Sequence, residues 1–405
     1  MIRLMMVLLL IAAWPMATEG QREPRRPRLP EAADTNSAMA YYQWGMSRIR
    51  NDPGKAADAF YWATKLVPQW AAPLYARRVA MLLEEPRRLI GYMERNRRVM
   101  RNREIKSIDS LELRARQLDP FIHRTLDWVM VRAYLTESTM ESLRRRYGSA
   151  SVEELRTEVE YYIDGVLQGP GGAQWRAWRA YSNGQMQEAL DQYAESLRRA
   201  DEDEVSSIHL TRGQVFYLMQ QNDSACAELN HALELSREKD EDDLVFVYES
   251  KAMLEYSIGM ALEASGKLDE AREAYGRALM EDMAFYAAHV QMGALALAEG
   301  DTLMALTEYG MAVEVEPELP HLRAILGELL FQTGQHAEAA EQFQQAIELD
   351  PYYAEPFLML ASAHEELGNT DDAITCYRDF LAKAMANDDR RALVEQKLGT
   401  LGGVP

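Results

Sequence analysis

The residues able to do chemistry in this 405-residue chain are few and poorly grouped. Histidines stand at 123, 209, 231, 289, 321, 336 and 364, with no pair at the helical spacing that would turn two rings toward one metal. Cys226 and Cys376 are far apart, offer no metal-ligand pair or disulfide framework, and read as small buried hydrophobes. HExxH, CxxC and GxSxG are absent from the sequence. Ser265-Gly266-Lys267 has the ending of a phosphate loop, but Ala261 stands where that loop needs its first glycine. One local group, His123, Asp127 and Trp128, keeps an enzymatic reading open for the region around it. Elsewhere no catalytic residue, cofactor site or metal site is expected.

Composition narrows the partners. Apolar residues make up 47% and charged residues 27%, a folded-protein balance rather than that of a disordered chain. The formal net charge of −20 argues against a nucleic-acid binder, which needs a cationic surface to displace counterions from phosphate. The charge is uneven: residues 201–405 carry 40 Asp+Glu against 13 Lys+Arg, while residues 1–200 carry 24 against 31. An acidic second half suits a solvated outer face or a basic partner segment.

The N-terminus has the layout of an export signal. Arg3 precedes an apolar run from Leu4 to Trp14, closed by Pro15, so residues 1–20 read as a signal peptide. The run is shorter than the ~20 residues a membrane-spanning helix needs. The chain is therefore expected to be periplasmic or secreted, with membrane contact only through this end and an uncleaved anchor as the lesser alternative. Residues 21–36, rich in proline and arginine, are expected to form a disordered leader.

The elements that must carry any site are helices in a repeat. Gly259, Gly293 and Gly327 recur every 34 residues, as do Gly266, Gly300, Gly334 and Gly368. Each of the latter is followed by Ala271, Ala305, Ala339 or Ala373, then by Tyr275, Tyr309, Phe343 or Tyr377. Ala278, Ala312 and Ala346 come next, and Pro317 and Pro351 close two of the units. Six glycines at prescribed offsets have a chance probability of roughly 10⁻⁷. The first glycine of each unit is expected where its two helices cross closely. The second is expected to end the first helix in a left-handed turn. The aromatic should fill the gap between one unit and the next.

This pattern resembles the tetratricopeptide (TPR) repeat. The resemblance implies an all-α solenoid of helical hairpins, a right-handed superhelix, in which stacking completes each unit's core. Gly213, Phe216, Ala225, Leu229 and Ala232 fit an earlier unit, separated by an acidic insertion around Arg237–Tyr248. Trp175, Ala177, Gly184, Ala189, Tyr193 and Ser196 fit another, and Ala56, Phe60, Ala63 and Pro68 fit a second helix near the start. The expected organisation is a divergent unit at 37–70, a degenerate helical region at 71–168, the array at 169–385, and a capping helix and tail at 386–405. Within 71–168, Pro86 and Pro120 are placed to open helices, and Ser151 with Glu154 forms a capping box.

In this family the first helices line a concave groove where peptides lie. Carried over by phase, the groove residues are Leu210, Gln214 and Tyr217, then Tyr256, Met260 and Glu263, then Val290, Gln291 and Leu297. Ile325, Glu328 and Phe331 follow, with Met359 and Glu365 last. Tyr256, Met260, Gln291, His321 and Ile325 replace the Lys, Asn and Arg of the carboxylate-clamp subgroup, so that clamp is absent. The expected function is a non-catalytic interaction scaffold of the cell envelope, binding a protein or peptide with an apolar or basic segment. The alternative is a structural envelope component touching peptidoglycan or membrane through its basic first half.

Overall fold

A computed structural model describes residues 23–93, 103–148, 155–169, 171–237 and 250–402. The export segment 1–20, the capping pair Ser151 and Glu154, and the acidic run following Arg237 lie outside the described residues. The first third holds α1 (Ala38–Arg48), α2 (Pro53–Leu66), α3 (Ala71–Glu84), α4 (Pro86–Met93), α5 (Arg103–Leu118), α6 (Asp127–Tyr147) and α7 (Arg156–Gln168). Helical pairs follow: α8 (Ala173–Ser182) with α9 (Met186–Leu197), then α10 (Glu202–Leu218) with α11 (Asn222–Arg237). The same pairing joins α12 (Lys251–Ala264) to α13 (Leu268–Glu281), and α14 (Tyr286–Glu299) to α15 (Thr302–Val315). It continues through α16 (Pro320–Gln332) with α17 (His336–Leu349), and α18 (Glu355–Glu366) with α19 (Thr370–Lys383). Finally α20 (Arg390–Thr400) covers the last pair by burying Val394 and Leu398. No strand occurs among the described residues.

Local chemistry starts and stops these helices. Ser37, Asp52, Ser250 and Asp301 each accept the backbone N–H three residues on, satisfying one orphan donor of the first turn. Gly300 ends α14 with φ 81°, a left-handed residue that costs glycine little.

The packing of each unit differs in one respect from the sequence expectation. The aromatic of the second helix lies on the glycine of its own unit rather than only between units. A Cβ on Gly327 would come within 2.7 Å of the Phe343 ring, and one on Gly45 within 2.6 Å of Phe60. The pairs Gly259–Tyr275 and Gly293–Tyr309 repeat this lock at the spacing of Gly327 and Phe343. Gly327→Val is therefore expected to destabilise the chain by about 1–3 kcal/mol through overpacking. Gly276→Ala, in α13 with open space around it, should stabilise by about 0.5–1 kcal/mol. Urea unfolding of the two variants checks this, and equal shifts would remove the close-approach argument.

Three features were not expected. Pro120 opens no helix; it lies in the connection between α5 and α6. Residues 23–36, expected to be disordered, are held against the fold from Glu23 onward: Trp62 Nε1 donates to Pro24 O at 3.0 Å, and Arg26 Nε to the Tyr41 hydroxyl at 2.8 Å. The Arg26 guanidinium stacks 5.0 Å from the Trp62 ring and 5.9 Å from Tyr352, so cation–π contact offsets the ordering entropy that composition alone charges to this stretch.

The third feature is that the solenoid's two ends meet. Asn36 Nδ2 donates to the carbonyls of Ala382 and Ala384, and Ala386 N donates to Asp34 at 2.6 Å. Trp62 meets Tyr352 edge-on at 4.8 Å, and Lys65 pairs with Asp350 at 3.7 Å. Burial pushes the Asp350 carboxyl up to about 6, against the pull of Lys65.

Within the first third, α5 packs on α3 and brings a charge cluster into the interior. Glu112, 1% exposed, sits 3.4 Å from Arg78, 2.9 Å from Arg116 and 3.7 Å from Arg124. Arg124 also pairs with Asp127 at 2.9 Å.

Candidate partner-binding groove

The first helices α10, α12, α14, α16 and α18 carry the residues assigned to the groove. Along its first half, the chain itself lies where a partner was expected. The end of α5 and the connection after it run over this face. Phe121 stacks on Tyr217 with centroids 3.6 Å apart and planes 11° from parallel. Gln214, 2% exposed, donates to Pro120 O at 3.1 Å, and the Tyr256 hydroxyl donates to Gln117 O at 3.1 Å. Leu113 and Phe121 share one apolar cluster with Leu210, Tyr256, Met260 and Val290. Burial raises the Tyr256 hydroxyl far above its usual range, as expected for a phenol sealed under α5. Gln291 lies beside the Tyr256 hydroxyl and so belongs to the same covered patch. The assignment of Leu210, Gln214, Tyr217 and Tyr256 to partner contact is corrected by this geometry. They hold the first third of the chain against the array.

Farther along, the groove is built from array residues. Leu297 is exposed, while Ile325, Phe331 and Met359 are half-buried in clusters whose described members all come from 290–376. Glu328 is exposed and accepts from Gln332 one turn on. Between the two halves, Arg114 of α5 stands within electrostatic reach of Glu316 and His321. Burial, aided by Arg114, pulls the His321 imidazole down to about 4, so it is neutral at pH 7.

Two acids assigned to ligand are already engaged. The Tyr275 hydroxyl donates to Glu263 at 2.6 Å, and the Tyr377 hydroxyl donates to Glu365, which Lys397 also reaches. Each acid lies twelve residues before its tyrosine; at the same offset before Tyr309 and Phe343 stand Leu297 and Phe331. Glu263 and Glu365 therefore anchor the repeat lock first, and this spacing was readable in the sequence.

The group that kept an enzymatic reading open does not converge on a space. His123 Nε2 is 2.8 Å from Tyr181 O, Asp127 accepts the Tyr75 hydroxyl at 2.8 Å, and Trp128 N donates to Ser182 Oγ at 3.0 Å. These bonds tie the start of α6 and the connection before it to α3 and α8. Among the described residues, no group of three or more His, Cys, Asp or Glu could hold a metal ion. None of the described helices is long and apolar enough to cross a membrane.

Comparison with known proteins agrees with the repeat geometry. One family model described as TPR repeat matches residues 327–368, and two described as Tetratricopeptide repeat match 357–384 and 256–282. No curated protein matches the chain. Among solved structures it is similar to YrrB, described as a TPR protein with an unusual peptide-binding site, at 20% identity. That alignment covers 51% of this chain and 98% of YrrB, with a TM-score of 0.38. MamA aligns at 16% identity over 49% of this chain and 95% of its own, TM-score 0.37. Pseudomonas aeruginosa pilF aligns at 18% identity over 50% and 86%, TM-score 0.40. On its recurring glycine–aromatic lock and the repeat matches over the same helices, the chain carries tetratricopeptide repeats over residues 256–282 and 327–384.

Proposed function

We propose that this chain is an exported, non-catalytic interaction scaffold of the cell envelope. In this reading it holds a partner's peptide segment or a partner subunit on the groove stretch formed by α14, α16 and α18. The observation that carries the reading is the division of the groove. Its first half is filled by α5 and Phe121, whereas Leu297, Ile325, Phe331 and Met359 present apolar surface beside an exposed acid, Glu328. Such a surface suits an apolar segment bearing a basic residue. The strongly acidic second half would favour the same partner through its long-range field. The alternative envelope role through a basic first half is less supported, because Arg26, Arg78, Arg116 and Arg124 are engaged in internal stacking and ion pairs.

The test is affinity capture from an envelope extract with the mature chain and with a Leu297→Asp, Glu328→Lys double variant. Both substitutions lie on exposed positions, so the fold should survive. A partner recovered at least tenfold less with the variant, and fractionating with the envelope, is the expected outcome. Equal recovery of the same partners would put the binding surface elsewhere, and a cytoplasmic distribution of the natural chain would remove the export reading.

A further inference from the structure

Where the first third meets the array, a cavity of about 90 Å3 lies between seven helices and the connection after α5. Arg78 comes from α3, Arg116 from α5 and Arg124 from the connection after it. Trp178 of α8, Tyr193 of α9 and Thr211 of α10 face them from the array. Three arginines thus line one small space, and no carboxylate is among the described residues lining it. Their acids, Glu112 and Asp127, form ion pairs with the arginines without lining the cavity, and Asp109 also lies within electrostatic reach of Arg78.

A second observation is independent of the arginines. The Tyr193 side chain is 1% exposed and its hydroxyl has no hydrogen-bond partner among the described residues. A buried hydroxyl left without a partner costs roughly 1–3 kcal/mol, so such groups are ordinarily satisfied by protein, water or ligand. The Tyr193 side chain that carries this one is among those lining the arginine-rich cavity, which has room for several waters or one phosphate-sized ion.

We propose that this cavity binds a small oxyanion, the phosphate or carboxylate group of a small molecule, clamped between the first third and the array. Guanidiniums are the side chains best shaped for such groups, since their planar fork of donors matches two oxygens at once. The anion shares the arginines with Glu112 and Asp127 rather than displacing them, and accepts a hydrogen bond from Tyr193. Because its ligands come from both parts of the chain, the bound ion also stabilises their docking. This role is separate from the partner-binding groove and does not depend on it.

Isothermal titration of the full chain with inorganic phosphate, and in a separate arm with succinate, at fixed ionic strength tests the proposal. One saturable site for either anion is expected, and the arm that saturates distinguishes a phosphate from a carboxylate ligand. Tyr193→Phe removes a hydroxyl that makes no protein hydrogen bond, so its anion-free melting temperature should match the natural chain's. Its anion affinity should fall by about ten- to a hundredfold, the worth of one hydrogen bond to a charged group. No saturable binding of either anion, or the same affinity in Tyr193→Phe, overturns the proposal.

Discussion

Glu112→Ala is expected to destabilise the chain by about 3–5 kcal/mol, because it leaves two buried arginines, Arg78 and Arg116, and the half-buried Arg124 around a missing charge. The magnitude follows from burial, not from the number of ion pairs. Exposed pairs such as Lys55–Asp52 and Arg145–Glu141 contribute little, since water and salt screen them. Glu112 is sealed, with guanidiniums from α3, α5 and the connection after α5 converging on it. Burial opposes its charge, yet Arg78, Arg124 and Arg116 outweigh burial and hold its carboxyl well below the usual 4.5.

The sign of the pH effect follows. A carboxyl whose folded pKa is depressed contributes stability that is fully present above its unfolded value near 4.5 and is lost as pH falls through the folded value. The deficit of Glu112→Ala should therefore be constant from pH 6 to 8 and shrink in strong acid. Urea unfolding at several pH values, with hydrogen exchange of α3 and α5, reads both quantities. A loss below about 1 kcal/mol at pH 7 would show that the arginines are as well solvated without Glu112.

Phe121→Ala should cost about 3–5 kcal/mol and free the covered half of the groove. The ring is 2% exposed and stacked on Tyr217, so its removal leaves a cavity and forfeits an aromatic contact. Neighbouring bonds, Gln214 to Pro120 O and Tyr256 to Gln117 O, depend on the same segment lying flat. Hydrogen exchange should accelerate in α5, α10 and α12 and stay unchanged in α17 to α19, whose residues lie outside the apolar cluster that holds Phe121. Uniform acceleration across the array would instead mean that the solenoid unfolds as one unit and that this contact has no local role.

The sequence alone determined the hairpin unit. Gly327 and Phe343 lie sixteen residues apart within one helical pair, so spacing, a left-handed glycine and small residues at the crossing suffice to specify their contact. The Tyr275–Glu263 and Tyr377–Glu365 bonds are as local and were equally legible in principle. The tertiary structure decided which groove residues are covered. Gln214 and Pro120 are 94 positions apart, and Tyr256 and Gln117 are 139 apart, across a stretch with no repeat phase to fix its direction. The same holds for Arg26 over Trp62 and Tyr352: composition sets the average cost of ordering a Pro/Arg stretch, but only the meeting of the two ends supplies the rings that offset it. Local periodicity thus fixed the repeat, while long-range burial, which leaves no periodic trace, decided what fills its concave face.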